Sequence, residues 1–287
     1  LVTHHYRNNG NAESYKLTVG SGGIQVYVSY GPAYISGRGV ITSSQRFLDV
    51  RMNAGVKLDL LFINSAIIDN ATHKVGLRLG GAGGSTVLGG DKSNTFTGST
   101  EVSGHHNVLS LNKEKGAIAI RGDIFINNHA KLTLWRDGQI ASNSTVRLRD
   151  STFQFADHRY EKVIKKESFH KLVIEGTSFL QFRSEGSLDS RFLYLDDLSV
   201  ADGSKLVVQS WKEGIHWLLV RKTSKSIDDA LSKIAFEGYL PGRTHKEDYD
   251  RDYWAISGTP EPTTYGAILA AVGIGLVVWR KRRRRTP

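Results

Sequence analysis

The chain has 287 residues, with 30 Gly, 5 Pro, one Met and no Cys. The lack of Cys excludes a disulfide framework and a thiolate metal site, so stability outside a reducing compartment must come from packing and backbone hydrogen bonds. The formal charge is +10, but six positive charges sit in Arg280, Lys281, Arg282, Arg283, Arg284 and Arg285, leaving +4 for the rest. That remainder does not imply a nucleic-acid partner, though it allows weak attraction to anionic envelope polymers.

The opening, LVTHHYRNNGNAESYKL, has neither an initiator Met nor a charged segment followed by an apolar run and a small-residue cleavage site. The expectation is a mature or truncated product of a longer exported precursor. Short strand-like runs then alternate with Gly, Asn, Asp and Ser turns: Tyr15 to Val19, Ile24 to Ser29, Phe47 to Val50, Val56 to Leu60, Val75 to Leu79, Val108 to Leu111, Ile118 to Ile120 and Ile124 to Ile126. The series continues through Lys131 to Trp135, Thr145 to Leu148, Thr152 to Phe155, Lys171 to Ile174, Phe179 to Phe182, Phe192 to Leu195, Leu198 to Val200 and Lys205 to Val208. β-Branched and aromatic residues recur on alternate positions, and no amphipathic stretch of helical length precedes Ser226. The body is predicted to be all-β.

The turns share a grammar. RGDIFINNHAKLTLWRDG, LRDSTFQF, LVIEGTSFLQF and LSVADGSKLVVQS each place a short Gly/Asp/Asn turn between two alternating strands. Hairpins in a sandwich would give some of this pattern. Coils of a right-handed parallel β-solenoid explain it better, with apolar side chains filling the lumen and small or polar residues at the corners. In the Thr/Asn/Gly segment, Asn94 and Asn107 are expected to bond their own backbone at corners. Gly98 and Gly104 are expected to take positive φ, and Thr95, Thr97 and Thr100 to form partly exposed strand. GLRLGGAGG reads as a strand and a turn.

From Ala201 the pattern closes down. A strand ending near Trp211, a turn at Lys212 to Gly214 and a strand from Ile215 to Val220 precede a helix over Ser226 to Ile234. Ser226 is its expected cap, with Asp228 and Asp229 in the first turn. Trp211, Trp217 and Phe236 read as core or end-cap aromatics, Arg243 to Asp252 as a charged surface loop, and Trp254 to Gly258 as a last strand. An open solenoid end exposes backbone edges and lumen, which favours an atypical element there. The division is therefore a body over 1–258, with an end cap over about 209–258, and a tail over 259–287.

The tail reads PEPTTYGAILAAVGIGLVVWRKRRRRTP. No charged residue occurs between Pro262 and Trp279, a helix length of about 27 Å against a hydrocarbon core of about 30 Å. A single transmembrane helix is expected there. Arg280 to Arg285 act as the membrane stop on the cytoplasmic side, and Tyr265 and Trp279 sit at headgroup level. The lipid bilayer is thus a predicted partner, and everything before Pro260 is predicted to lie outside the cytoplasm.

Pro260-Glu261-Pro262, one apolar helix and an Arg-rich end, in that order, resemble the PEP-CTERM sorting signal of Gram-negative bacteria, also catalogued as an ice-binding-protein C-terminal domain. The resemblance implies that Pro260, Glu261 and Pro262 form a processing motif for an exosortase-type enzyme, and that the carrier passes through the inner membrane to the cell envelope or surface. A second stretch, over about 77–155, resembles the autotransporter-associated β-strand repeat through Gly89-Gly90, Asn94 to Val102, Leu109 to Leu111 and Gly138 to Ile140. It departs from that pattern at Asp91-Lys92 and at His105-His106, which stand where the family has a Gly turn. That resemblance implies an elongated passenger-like body.

Chemistry is sparse. The ten His residues show no i, i+4 pair with an accompanying Glu, and His105-His106 is at most a weak surface corner for a transition metal. There is no nucleophile elbow and no phosphate-cradling loop before a helix. Asp189, Asp196 and Asp197 are the nearest approach to a carbohydrate-active acid cluster, and ordinary solvation explains them equally well. The expectation is a structural and interaction protein with no cofactor, no catalytic residues and no metal. Envelope polysaccharide is a further candidate partner, and a polysaccharide-binding or polysaccharide-degrading solenoid is the alternative.

Overall fold

The computed structural model describes residues 15–27, 31–53, 60–114, 116–156, 165–183 and 190–260. These form an all-β solenoid of about 8 turns. Its faces are best followed one coil at a time. The first face begins with Lys16–Val19, Val40–Ser43 and Ala66–Ile67, paired in parallel. The second runs from Ile24–Val26 and Phe47–Asn53 through Thr100–Ser103, Ile124–Asn127 and Thr145–Arg149. The third runs from Ala33–Ile35 and Leu60–Ile63 through Asn107–Leu111, Lys131–Leu134, Thr152–Phe155 and Thr177–Phe182 to Lys205–Gln209 and Ile234–Phe236. Parallel pairing, in constant register except for a shift between Met52 and Asn53, makes each face a stack of equivalent positions, so side-chain alternation on one strand is imposed on the next.

The lumen shows the result. On the third face Ile35, Ile63, Leu88, Leu111, Leu134, Phe155 and Phe182 lie in one register column. On the second, Leu48, Leu77, Thr100, Ile124, Val146, Leu172 and Leu198 form another. Except for the partly buried Ile35, every residue of both columns is buried, and each large apolar side chain among them contributes roughly 1.5–3 kcal/mol by leaving water.

Corners explain the polar sequence between strands. Between the second and third faces the backbone repeatedly enters the left-handed region, at Gly104, His106, Asn128, His129, Asp150, Gly176 and Gly203. The residues other than Gly at these positions are His, Asn and Asp, the types that tolerate that region best. His106, with φ 70°, thus occupies the turn where the repeat pattern has Gly. Between the first and second faces Gly serves close approach instead. A Cβ on Gly98 would stand 2.5 Å from the Val75 carbonyl oxygen, and one on Gly122 would stand 2.2 Å from that of Gly98.

Several local expectations are corrected. Gly98 does not have positive φ; its lack of a side chain is needed for stacking. Thr95 and Thr97 are exposed residues outside strands, while Thr100 is a fully buried lumen residue. Gly76–Leu88 is one 13-residue strand rather than a strand and a turn. It passes from the second face to the third through glycines at positive φ, which bend without placing side chains at the corner. Ile118 to Ile120 supplies only an isolated bridge between Ile120 and Ile140. The strand expected at Lys171 to Ile174 is longer, Lys165–Glu175, and those expected at Phe192 to Leu195 and Leu198 to Val200 are one strand, Arg191–Val200, because both run straight across the corner between the first and second faces.

The C-terminal end is closed by a short helix, Ile227–Leu231, and an antiparallel hairpin, Tyr239–Asp248 with Tyr253–Pro260. Ser226 occupies the cap position but makes no capping hydrogen bond; its hydroxyl donates to Asp197 at 3.0 Å. The expected charged loop over Arg243 to Asp252 is mostly strand: its charges sit on an exposed hairpin arm. The second arm pairs antiparallel with His216–Arg221, the last first-face strand, and so covers the backbone edge of the solenoid.

Candidate functional site

At the corner between the first and second faces, successive coils leave a groove of about 420 Å³ lined by Lys74, Thr97, Arg121, Gly122, Asp123, Ala141 and Asn143. The tight stacking of Gly98 and Gly122 lowers the floor, and the residues just beside them form its walls. Four coils contribute, so at about 4.8 Å per coil the groove follows the solenoid axis for about 14 Å.

Its acids are already occupied. Asp69, next to the groove, accepts hydrogen bonds from the backbone N–H groups of Val75 (2.7 Å) and Thr97 (3.0 Å) and from the Thr97 hydroxyl (2.7 Å). Partial burial pulls its carboxyl up, but these donors and the Lys74 charge hold it below the ordinary range. Asp123 accepts from the Thr145 N–H at 2.8 Å. The cations are less committed. Arg121 donates Nε–H to the Asn94 carbonyl at 3.0 Å, which fixes the side chain without neutralising it. Among the described residues neither Arg121 nor Lys74 has a carboxylate within ion-pair distance, although the Lys74 charge acts on Asp69; both are exposed.

Beneath this corner the first face is held by side chains. Buried Asn94 accepts from the Ile67 N–H (2.9 Å) and donates to the Ala119 carbonyl (2.8 Å), bridging the coils on either side. It does not bond its own turn, whereas Asn107 does, donating to the Ser103 carbonyl at 2.7 Å. Gln139 accepts from the Lys113 N–H at 2.7 Å and donates back to its carbonyl at 3.2 Å. Glu167 accepts from the N–H groups of Gln139 (2.9 Å) and Ile140 (3.2 Å), and burial raises its carboxyl to about 8 against those donors. The buried ammonium of Lys113 has no hydrogen-bond partner, and desolvation lowers it to about 8 despite the nearby Asp91.

The residues singled out from sequence are dispersed. Asp196 is bound by His170 (3.1 Å) and Arg221, and Asp197 by Lys171 (2.7 Å), Ser224 and Ser226. Burial acts to raise both carboxyls, but these partners hold them below the ordinary range, the reverse of what a general acid requires. Asp189 lies outside the described residues. His105 and His106 pack edge to face at 3.7 Å between ring centres, with His129 of the next coil 5.8 Å from His105. Among the described residues no group of three or more His, Asp or Glu is arranged to hold a metal ion. Pro260 is the exposed last residue of the closing hairpin, opposite Tyr239. Glu261, Pro262 and Arg280 to Arg285, like the expected membrane helix over 262–279, lie outside the described residues, among which no helix is long and apolar enough to cross a membrane.

Sequence reasoning missed Lys74, Arg121, Asp123 and Asn143. Thr97-Gly98 and Arg121-Gly122, 24 positions apart, were the available signal, and it is meaningful only once the coil length is known. Comparison with protein-family models gives no match, and comparisons with curated proteins and with solved structures likewise give none.

Proposed function

We propose that the chain is an exported envelope or surface scaffold: a solenoid rod delivered and anchored by the segment from Pro260 to Arg285. The observation that carries this reading is the order of that segment, a Pro-Glu-Pro motif, an uncharged run from Pro262 to Trp279 and a six-residue basic stop. Its placement supports the reading, because Pro260, the first residue of the motif, is paired with Tyr239 on the closing hairpin at the exposed end of the solenoid. The winding is taken as right-handed, the sense nearly always adopted by parallel crossovers. An interaction role is favoured over hydrolysis or elimination because Asp196 and Asp197 are each tied to cations. The proposed partners are the lipid bilayer and an exosortase-type processing enzyme.

The test is mass spectrometry of the exported protein beside a variant with Ala at Pro260, Glu261 and Pro262. A defined C-terminal trimming that disappears in the variant supports sorting at this motif. An intact tail on both proteins at their final location would overturn processing.

A further inference from the structure

We infer that the bulge over 240–243 on the closing hairpin rests on the bilayer surface, at the level of the lipid headgroups, and holds that end of the rod against the membrane. The inference rests on the anchoring reading above and adds to it the part of the folded body that meets lipid.

Three observations lead to it. The first is a length. The uncharged run over 262–279 covers about 27 Å as a helix, slightly less than a hydrocarbon core of about 30 Å, so none of it is spare for a linker. Only Glu261 separates that run from Pro260, and two backbone steps reach at most about 7 Å. The headgroup layer is roughly 5–7 Å deep on each side, so Pro260 is held within it or at its edge. The second is the pairing. Pro260 stands opposite Tyr239, and the next pair is Gly258 with Thr244, so the four residues over 240–243 bulge out opposite Thr259 alone. The bulge is anchored at its base. The Thr259 hydroxyl donates to the Arg243 carbonyl at 3.1 Å, the Thr244 hydroxyl donates to the Ile234 carbonyl at 2.6 Å, and the Tyr239 ring meets Phe236 at 6.0 Å between ring centres. The third is chemistry. Partly buried Tyr239 and Leu240 lead to exposed Pro241, Gly242 and Arg243, an aromatic ring, two apolar side chains and one cation beside the chain's entry to the membrane. Net positive charge does not carry the contact, because Arg243 is the one charged residue of the bulge, while Glu213 acts on Tyr239 and Glu237 precedes it by two residues. Apolar contact carries it, so zwitterionic lipid is sufficient.

The chain has no Cys, so single fluorescent labels can be placed at will. The full chain, labelled through Pro241→Cys, Arg243→Cys, Lys16→Cys or Ala270→Cys, is reconstituted into phosphatidylcholine vesicles that carry a nitroxide either on the headgroup or on the acyl chain. Headgroup nitroxide is expected to quench the labels at 241 and 243, and acyl-chain nitroxide the label at 270. Neither should quench the label at 16, on the exposed first coil about 35–40 Å away along the axis of about 8 turns. Two sites in the bulge keep the test decisive if one variant misfolds. Quenching in the bulge should also persist at about 1 M salt, where charge attraction is screened beyond about 3 Å. Quenching at 270 without quenching at 241 and 243 overturns the inference and leaves the anchoring reading standing. Quenching in the bulge without quenching at 270 upholds the surface contact and overturns the spanning helix, and quenching at none of these sites overturns both. Equal quenching at 16, or its loss from the bulge in salt, rejects the inference as well. Blue-shifted emission at 241 without lipid quenching would put a second copy of the chain on the bulge in place of lipid.

Discussion

The coils that meet at 94–141 and those over 152–236 solve the same packing problem differently. In the first region the lumen columns are aliphatic apart from Thr100, with Phe96 buried beside them, and the first face is reduced to scattered backbone bonds and one isolated bridge. Buried Asn94 and Gln139, with Glu167 reaching back from the next coil, take up peptide groups that a neighbouring strand would otherwise pair. In the second region strands run unbroken across a corner, and a cluster of rings packs among the aliphatic lumen residues. Phe155 stacks on Phe182 at 5.1 Å, and Trp211 meets Phe182 and Phe236 edge to face at 5.2 and 4.9 Å. The difference teaches that a solenoid face can be held by side-chain amides as well as by strands, provided those side chains meet the buried peptide groups that a strand would have paired. The looser first face also leaves the corner where the groove forms.

If the aromatic region depends on packing, Phe155→Ala should have the largest effect, a loss of roughly 3–5 kcal/mol in denaturant unfolding, because two ring partners are left beside a cavity. A loss below that of Leu111→Ala would break the contrast.

The amide-held region has a pH signature. Glu167 is raised from 4.5 to about 8 by burial, so the folded state holds a proton that the unfolded state has released. The stability this contributes is full below about 4.5 and is lost as pH rises to about 8. Relative to Glu167→Gln, the wild-type melting temperature should therefore fall across that window; a constant difference would reject the assignment. His216 works in the opposite sense. Burial, with Arg191 and Lys212 adding, lowers it from 6.5 to about 4, so stability is lost as pH falls from 6.5 to 4.

Asn94→Ala should cost roughly 2–4 kcal/mol, since it orphans the Ile67 N–H and the Ala119 carbonyl together. Urea unfolding would show it, and a cost under about 1 kcal/mol would mean that the neighbouring coils re-pair without the amide. Lys113→Met is expected to change stability in the other direction, by about 1–2 kcal/mol, because an ammonium without a hydrogen-bond partner leaves the interior. Smallest is Glu101→Ala on the outer second face, where the pair with Arg78 at 3.0 Å is solvent-screened; about 0–1 kcal/mol is expected.

What the sequence by itself determined is the alternation and its interruptions. Val108 to Leu111, Lys131 to Trp135 and Thr152 to Phe155 were legible as half-buried strands because a period of two is local, and the turn at Asp150 in LRDSTFQF was legible because backbone preference is local too. The tertiary structure alone decided which strands stack, and hence that Asn94 spans three coils instead of capping a turn and that Lys74, Thr97, Arg121 and Asn143 share one groove. It also decided that Asp196 and Asp197 are spent on His170, Lys171 and Arg221. The reason is physical. Coil lengths vary as corners are crossed directly or through loops, so residues facing one another are separated by unequal distances along the chain, and only the parallel backbone register brings them together.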